Sequence, residues 1–347
     1  MTQAFDNRRL ELVGEPVPVA EQVRNTNTVQ GRFGVSTSGV LAYQTGAEGG
    51  GTSLTWYDRQ GKALGAAAEP AAYGSVALSP DGRRIAVSRA GTRGANVDIW
   101  LVEFARAAST RFTFDPARDY APVWSPDGTR IVFRSERIGL GDLYQETASG
   151  AGSDEVLLKS QEPKTPDDWS RDGRFLLYSV GDPKTKNDLW ILPLQGDRKP
   201  VPYLKTEFNE AQGQFSPDGR FVAYRSDESG RSEIYVQPFP LTSGGGGKWM
   251  VSRGGGTQPR WRRDGKELFY IANDQAVMAV DVSTSPAFKA GIPQALFERT
   301  ILPDDRNFRW DVTADGKRFL LNTVEAETST SSSPITVVLN WQAGLKN

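Results

Sequence analysis

"YAPVWSPDGTRIVF", residues 120–133, reads as a short strand, a tight turn and a second short strand. Pro126 presets φ at the first turn corner, and Asp127 can accept from the backbone two residues on. Gly128 takes the positive φ that a Cβ would resist. β-branched and aromatic residues fill both flanks, so the stretch predicts a β-hairpin.

The same phrase returns as Ser79-Pro80-Asp81-Gly82, Ser170-Arg171-Asp172-Gly173, Ser216-Pro217-Asp218-Gly219, Arg262-Arg263-Asp264-Gly265 and Thr313-Ala314-Asp315-Gly316. Ser36-Thr37-Ser38-Gly39 is a degenerate seventh copy, and successive starts lie 43, 46, 45, 46, 46 and 51 residues apart. That period belongs to the blades of a propeller and not to a helical solenoid. Each full unit adds a third strand opened by an acid before an aliphatic and an aromatic residue: Asp98-Ile99-Trp100, Asp142-Leu143-Tyr144, Asp188-Leu189-Trp190 and Glu233-Ile234-Tyr235. A fourth strand follows, as in "EVLLKS" at 155–160. The aromatic before the turn (Trp124, Trp169, Phe215, Trp261) recurs once per unit and reads as packing between blades.

The fold expected is therefore all-β: a single β-propeller of four-stranded antiparallel blades. Seven turns give seven blades, with six as the alternative if Ser36–Gly39 is not a blade turn. The blades span about 31–70, 71–116, 117–161, 162–206, 207–253, 254–300, and 301–347 completed by 1–30. The last assignment rests on the similar patterns of residues 1–21 and 278–298, and on the need to remove two open sheet edges by pairing the first and last segments.

Composition excludes much chemistry. There is no Cys and no His, which removes thiolate nucleophiles, imidazole metal ligation and every triad with a histidine base. With 41 Lys+Arg against 42 Asp+Glu, no overall field favours a nucleic acid or an anionic membrane. "MTQAFDNRRLELVGEPVPVA" has neither the apolar run of a transmembrane helix nor the layout of a signal peptide, so no direct membrane insertion is expected of these residues. "SGGGGKWM", 243–250, lacks the Ser or Thr that follows the lysine of a phosphate-binding loop and has no helix after it, so it reads as a hairpin loop.

The Ser-Pro-Asp-Gly phrase followed by acid, aliphatic and aromatic resembles the TolB-type, WD40-like (PD40) β-propeller repeat across nearly the whole chain. More narrowly, "LTWYDRQGKALG" (54–65), "DIWLVEFARAASTRFTFDP" (98–116), "GGGTQPRWRRDGKELFY" (254–270) and "PITVVLNWQAGLKN" (334–347) are similar to propeller regions of large bacterial proteins, where the propeller often follows a serine/threonine kinase domain and a membrane span. That resemblance implies an extracytoplasmic sensor or scaffold, a portion of a larger receptor or kinase-linked protein. The kinase catalytic phrase itself is impossible without His, and the Gly-x-Ser-x-Gly of propeller-linked peptidases is missing. The fold hosts both binding proteins and enzymes, so it does not settle function.

Residues just ahead of each first strand of a blade should line the channel mouth. These are Asp119 and Tyr120; Lys164 with Asp167 and Asp168; Asn209, Glu210 and Gln212; Gln258 and Arg260; Arg306 and Arg309. With the loops 89–96, 181–188 and 226–232 they form the expected binding face, for a protein or peptide first and a small ligand or glycan second. No cofactor, metal or catalytic residue is expected, since the turn aspartates have their own backbone amides to satisfy. The competing reading is a carbohydrate-active hydrolase or lyase that uses channel carboxylates, one of them buried with a raised pKa.

Overall fold

A computed structural model describes residues 2–6, 8–9, 11–17, 33–36, 38–44, 52–91, 96–106, 108–240, 247–301, 304, 306–324 and 335–341. The chain divides into two compact units, Thr52–Val324, and Met1–Gly51 with Glu325–Asn347.

In the larger unit the expected strand grammar is present. Blade 1 runs Tyr73–Leu78, Arg84–Ala90, Val97–Glu103 and Ala108–Arg111, each strand antiparallel to the one before. Blade 2 is Asp119–Trp124, Arg130–Ser135, Asp142–Thr147 and Glu155–Leu158; blade 3 is Lys164–Trp169, Phe175–Asp182, Lys186–Pro193 and Val201–Leu204. Blade 4 is Ala211–Phe215, Phe221–Ser226, Glu233–Pro238 and Trp249–Met250. Blade 5 is Thr257–Trp261, Glu267–Ile271, Ala276–Ser283 and Gln294–Glu298, with Lys289–Ala290 pairing the far end of its third strand.

The sixth sheet differs from expectation. Its inner strands, Trp310–Val312 and Arg318–Val324, are completed by Thr52–Asp58 and Ala63–Ala66, in register from Arg318↔Asp58 to Val324↔Thr52. Leu54 and Tyr57 of that strand are buried, so its apolar alternation faces the neighbouring blades. The described strands of the N-terminal segment, Thr2–Asp6 and Glu11–Val17, do not fill this place. Thr2–Asp6 pairs with Glu11–Val17 in a local hairpin of the smaller unit, and 18–30 lie outside the described residues. The likeness of 1–21 to 278–298 is a likeness of strand pattern only, and pattern does not choose a partner. Residues 52–66 and 310–324, expected in different blades, share one.

Six junctions close a ring within Thr52–Val324. Trp124 Nε1 donates to Ala77 O (2.9 Å), Lys164 pairs with Asp142 (3.0 Å), and Phe215 N donates to Asp168 Oδ2 (2.8 Å). Trp261 Nε1 donates to Gln214 O (3.1 Å), Trp310 Nε1 to Gln258 O (3.2 Å), and Leu78 N to Asp311 Oδ2 (2.8 Å), which returns blade 6 to blade 1. The core lies between blades: Leu177, Leu189 and Tyr203 of blade 3 pack on Phe215, Val222 and Tyr224 of blade 4.

In the smaller unit Phe33–Val35, Val40–Gln44 and Ile335–Leu339 form a three-stranded sheet. The degenerate Ser36–Gly39 copy is its hairpin turn: Val40 N donates to Ser36 Oγ (3.0 Å) and Gly39 has φ 81°. Thr37 lies outside the described residues, as do 92–95 and 243–246 of the loops quoted above. Among the described residues no helix is long and apolar enough to cross a membrane.

Candidate functional site

The repeated turn is a closed hydrogen-bond unit. In five copies the hydroxyl of Ser79, Ser125, Ser170, Ser216 or Thr313 donates to the turn aspartate at 2.6–2.7 Å. It also accepts the amide five residues on, as from Arg130 N to Ser125 Oγ (2.9 Å), and the aspartate accepts the amide two residues on, as from Thr129 N to Asp127 (3.0 Å). In blade 5 the Arg262 guanidinium replaces the hydroxyl, with Nε 2.7 Å from Asp264. Those donors hold Asp81, Asp127, Asp264 and Asp315 below the usual carboxylate range. The turn aspartates are spent on the turn.

Counting from each turn sorts the channel wall into layers. Four residues before the turn stand Ser75, Ala121, Pro166, Gln212, Gln258 and Arg309. Ala121, Gln212 and Gln258 have φ of 55–58°, at the bulge of each first strand, which turns the side chain toward the next blade. Ser75 Oγ accepts Ala121 N (2.9 Å), Gln212 Oε1 accepts Gln258 N (2.9 Å), and Gln258 Oε1 accepts Arg309 N (2.6 Å). The side chain of one blade thus caps the same backbone position of the next. Gln212 and Gln258, expected at an open mouth, are 0% and 2% exposed.

This end of the channel is covered. Gln212 Nε2 donates to Asp304 O (2.9 Å) and Asn307 O (3.1 Å), and Arg309 pairs with Asp304 (3.0 Å). Phe308 is buried there, with the Arg260 guanidinium 3.7 Å from its ring centroid. Arg306 is exposed, and its amide donates to Asp304 Oδ1 (3.0 Å).

Two residues before the turn stand Ala77, Val123, Asp168, Gln214, Arg260 and Asp311, all lining a cavity of about 320 Å³. Arg260 pairs with Asp311 (3.3 Å) and donates to Trp310 O (3.3 Å). Asp311 gives its other oxygen to Leu78 N, as Asp168 does to Phe215 N. Burial pushes the Asp168 carboxyl up to about 7 against the amides of Phe215 and Trp169. Asp167 beside it, bonded to Ser179 Oγ (2.5 Å), is raised well above the carboxylate range by burial.

The remaining expected residues are buried or half-buried within blades or at their junctions. Asp119 is buried against Arg137 (3.3 Å), whose guanidinium lies 4.3 Å from the Tyr144 ring centroid. Lys164 is caged by Asp142, Ser160 Oγ (2.8 Å) and Glu162 O (2.6 Å). Tyr120 donates to Glu136 (2.6 Å) under Arg134, and burial raises its pKa. Asn209 accepts from Asn187 (2.7 Å), and Glu210 bonds the Thr206 hydroxyl while burial pushes it up to about 7. Each paired group is one whose burial demands a partner. Among the described residues no three His, Cys, Asp or Glu side chains are grouped to hold a metal ion.

Sequence reasoning missed the other end of the cavity. One residue into each turn stand Pro80, Pro126, Arg171, Pro217, Arg263 and Ala314, and all six line the same cavity, with Arg171 and Arg263 exposed. The signal was in the tetrads themselves, because two copies put arginine where the turn favours proline.

Residues 59–199 match the family of the TolB beta propeller domain, PD40. Over that stretch the chain is similar to a TolB-type β-propeller. Among solved structures, a TolB protein of Agrobacterium tumefaciens superposes with a TM-score of 0.62 at 16% identity, over 78% of this chain and 97% of that one. TolB from Acinetobacter baumannii gives 0.52 at 16% identity, over 72% of this chain and 65% of that one. An oligogalacturonate lyase in complex with manganese gives 0.51 at 13% identity, over 90% and 82%. At such identities the β-propeller fold is what is shared, and the wall residues are this chain's own.

Proposed function

We propose that the TolB-type ring is a non-catalytic module that binds a protein or peptide partner as a portion of a larger receptor or scaffold. The observation that carries this reading is the fate of the polar channel groups: Ser75, Gln212, Gln258, Asp168 and Asp311 each cap a backbone amide of the adjacent blade. Groups so committed hold a frame rigid and leave recognition to its rim.

One observation favours a second reading, a glycan-active lyase or hydrolase. Asp168, with a carboxyl raised to about 7, lines a cavity that also holds Asp311 and Arg260, and a general acid needs such a pKa. Incubation of the full chain with oligogalacturonate and Mn²⁺, followed by absorbance of unsaturated product and by reducing-end release, separates the two. The binding reading expects no turnover above buffer. Turnover abolished by Asp168→Asn would replace it with the enzyme reading.

A further inference from the structure

Arg171 and Arg263 are the only charged side chains among the six residues one step into the turns. At that position Pro80, Pro126 and Pro217 supply the φ the turn prefers, so the arginines forgo a local advantage. Both are exposed, and among the described residues neither is ion-paired with a carboxylate, whereas Arg59, Arg111, Arg134, Arg137, Arg260, Arg262 and Arg309 are. Arg263 is nevertheless held in place. Its amide donates to Ala314 O (3.2 Å) in blade 6, and Nη1 reaches beyond that blade to Pro80 O (3.0 Å) in blade 1, which lays the guanidinium over the cavity rim. Arg171 lines the same cavity from blade 3, where burial first and the like charge of Arg263 second lower its pKa while the Asp168 carboxylate opposes them.

The rim continues sideways. Arg171 and Pro217 also border a second cavity of about 520 Å³ between blades 3 and 4, walled by Phe175, Tyr203, Phe239 and Pro240, with Asp172 and Asp218 at its edge already paired with Arg174 and Arg220. Its aromatic wall is firm: Phe239 lies edge-on to Phe175 (5.3 Å), Phe215 (5.0 Å) and Tyr203 (5.8 Å), and Tyr203 Oη donates to Pro238 O (2.8 Å). An apolar groove thus meets a doubly cationic mouth at one shared edge. A small anion would use only the mouth, and a purely apolar ligand only the groove. An extended peptide with an acidic group beside apolar or proline residues uses both, because guanidinium pairs with carboxylate while aromatic walls take apolar side chains.

We infer that the turn-side rim is a docking site for an acidic, apolar peptide segment, its carboxylate held between Arg171 and Arg263 and its apolar residues lying in the Phe175–Tyr203–Phe239 groove. The inference rests on the binding reading above and places the contact on the face opposite the covered end of the channel.

The test pans the immobilised full chain against a display library of random octapeptides, then measures the enriched peptides by fluorescence anisotropy. Enriched sequences should pair Asp, Glu or a free C-terminus with neighbouring apolar or Pro residues. Arg171→Gln with Arg263→Gln should weaken them by at least about tenfold, the loss expected of a charge-assisted pair. Arg171→Lys with Arg263→Lys should fall between, since lysine keeps charge but not the fork. Phe239→Ala should weaken the same peptides, and a C-terminally amidated copy tells a terminal carboxylate from a side-chain one. The arginine variants must keep the parent thermal midpoint, as exposed changes are expected to do, whereas Phe239→Ala, which also loses core packing, is measured below its own midpoint. Enrichment without acidic residues, or affinity equal in the Arg→Gln variant, overturns the inference and leaves the binding reading standing. Arginine-dependent binding of trigalacturonate without any enriched peptide also overturns it, whereas the binding reading itself falls only to turnover.

Discussion

Asp127 shows how one residue type serves the architecture rather than the chemistry. Its carboxylate receives the Ser125 hydroxyl at 2.6 Å and the Thr129 amide at 3.0 Å, so it satisfies two donors that a Pro-Asp-Gly turn would otherwise leave to water. Asp127→Ala should cost about 1 kcal/mol, the usual net value of such bonds, and lower the thermal midpoint by roughly 2–4 °C in a domain of this size. Calorimetry checks this, and an unchanged midpoint would mean that water replaces the carboxylate without loss. Arg262, which stands where the other turns have a hydroxyl, bonds Asp264 and also ion-pairs with Glu267, so the phrase tolerates any donor of the right reach.

At the level of elements, turn spacing and strand pattern were readable because each is local: the Pro-Asp-Gly corner, the acid that opens the third strand, and the Trp that reaches the previous blade recur at fixed offsets. The closing strand was not readable. Thr52–Asp58 pairs with Arg318–Val324 across more than 250 residues of chain, and its pattern is no better than that of Glu11–Val17. What distinguishes it is the burial of Leu54 among Val76, Ile85 and Leu320 and of Tyr57 among Phe269, Phe297 and Phe319. The candidate site was half legible for the same reason. The offsets that put Asp168 and Arg260 in the wall could be counted, but the cover formed by Asp304, Asn307 and Phe308 depends on which blade Gln212 faces. Leu54→Ala should therefore destabilise the ring by about 2–5 kcal/mol, as a cavity in a closed core does. Leu12→Ala, at a position 65% exposed, should stay within about 0.5 kcal/mol. Chemical denaturation of the two variants compares them, and the reverse order would restore the N-terminal segment as the closing strand.

For the whole molecule, net charge is close to zero, with 41 Lys+Arg and 42 Asp+Glu, so pH acts through particular buried acids and not through overall repulsion. Burial pushes Asp168, Glu146 and Glu210 each up to about 7, and for Glu210 the neighbouring Asp188 adds to this while the Thr206 hydroxyl opposes it. An acid that holds its proton more tightly when folded contributes stability that is present in full below its unfolded pKa of about 4 and is lost as pH rises through about 7. The turn aspartates act in the opposite sense: held low by their donors, they contribute above about pH 4 and lose that contribution as pH falls. Between these limits both sets favour the ring, so the thermal midpoint should be higher at about pH 5.5 than at about pH 8. Glu210→Gln and Asp168→Asn should each flatten that decline, because an amide has no proton to lose. Differential scanning fluorimetry across this range decides it: a wild-type midpoint that is level or rising from pH 5.5 to 8 would mean that the buried acids are ionised in the folded ring, with the Arg260 guanidinium and the inter-blade amides compensating the Asp168 charge in full.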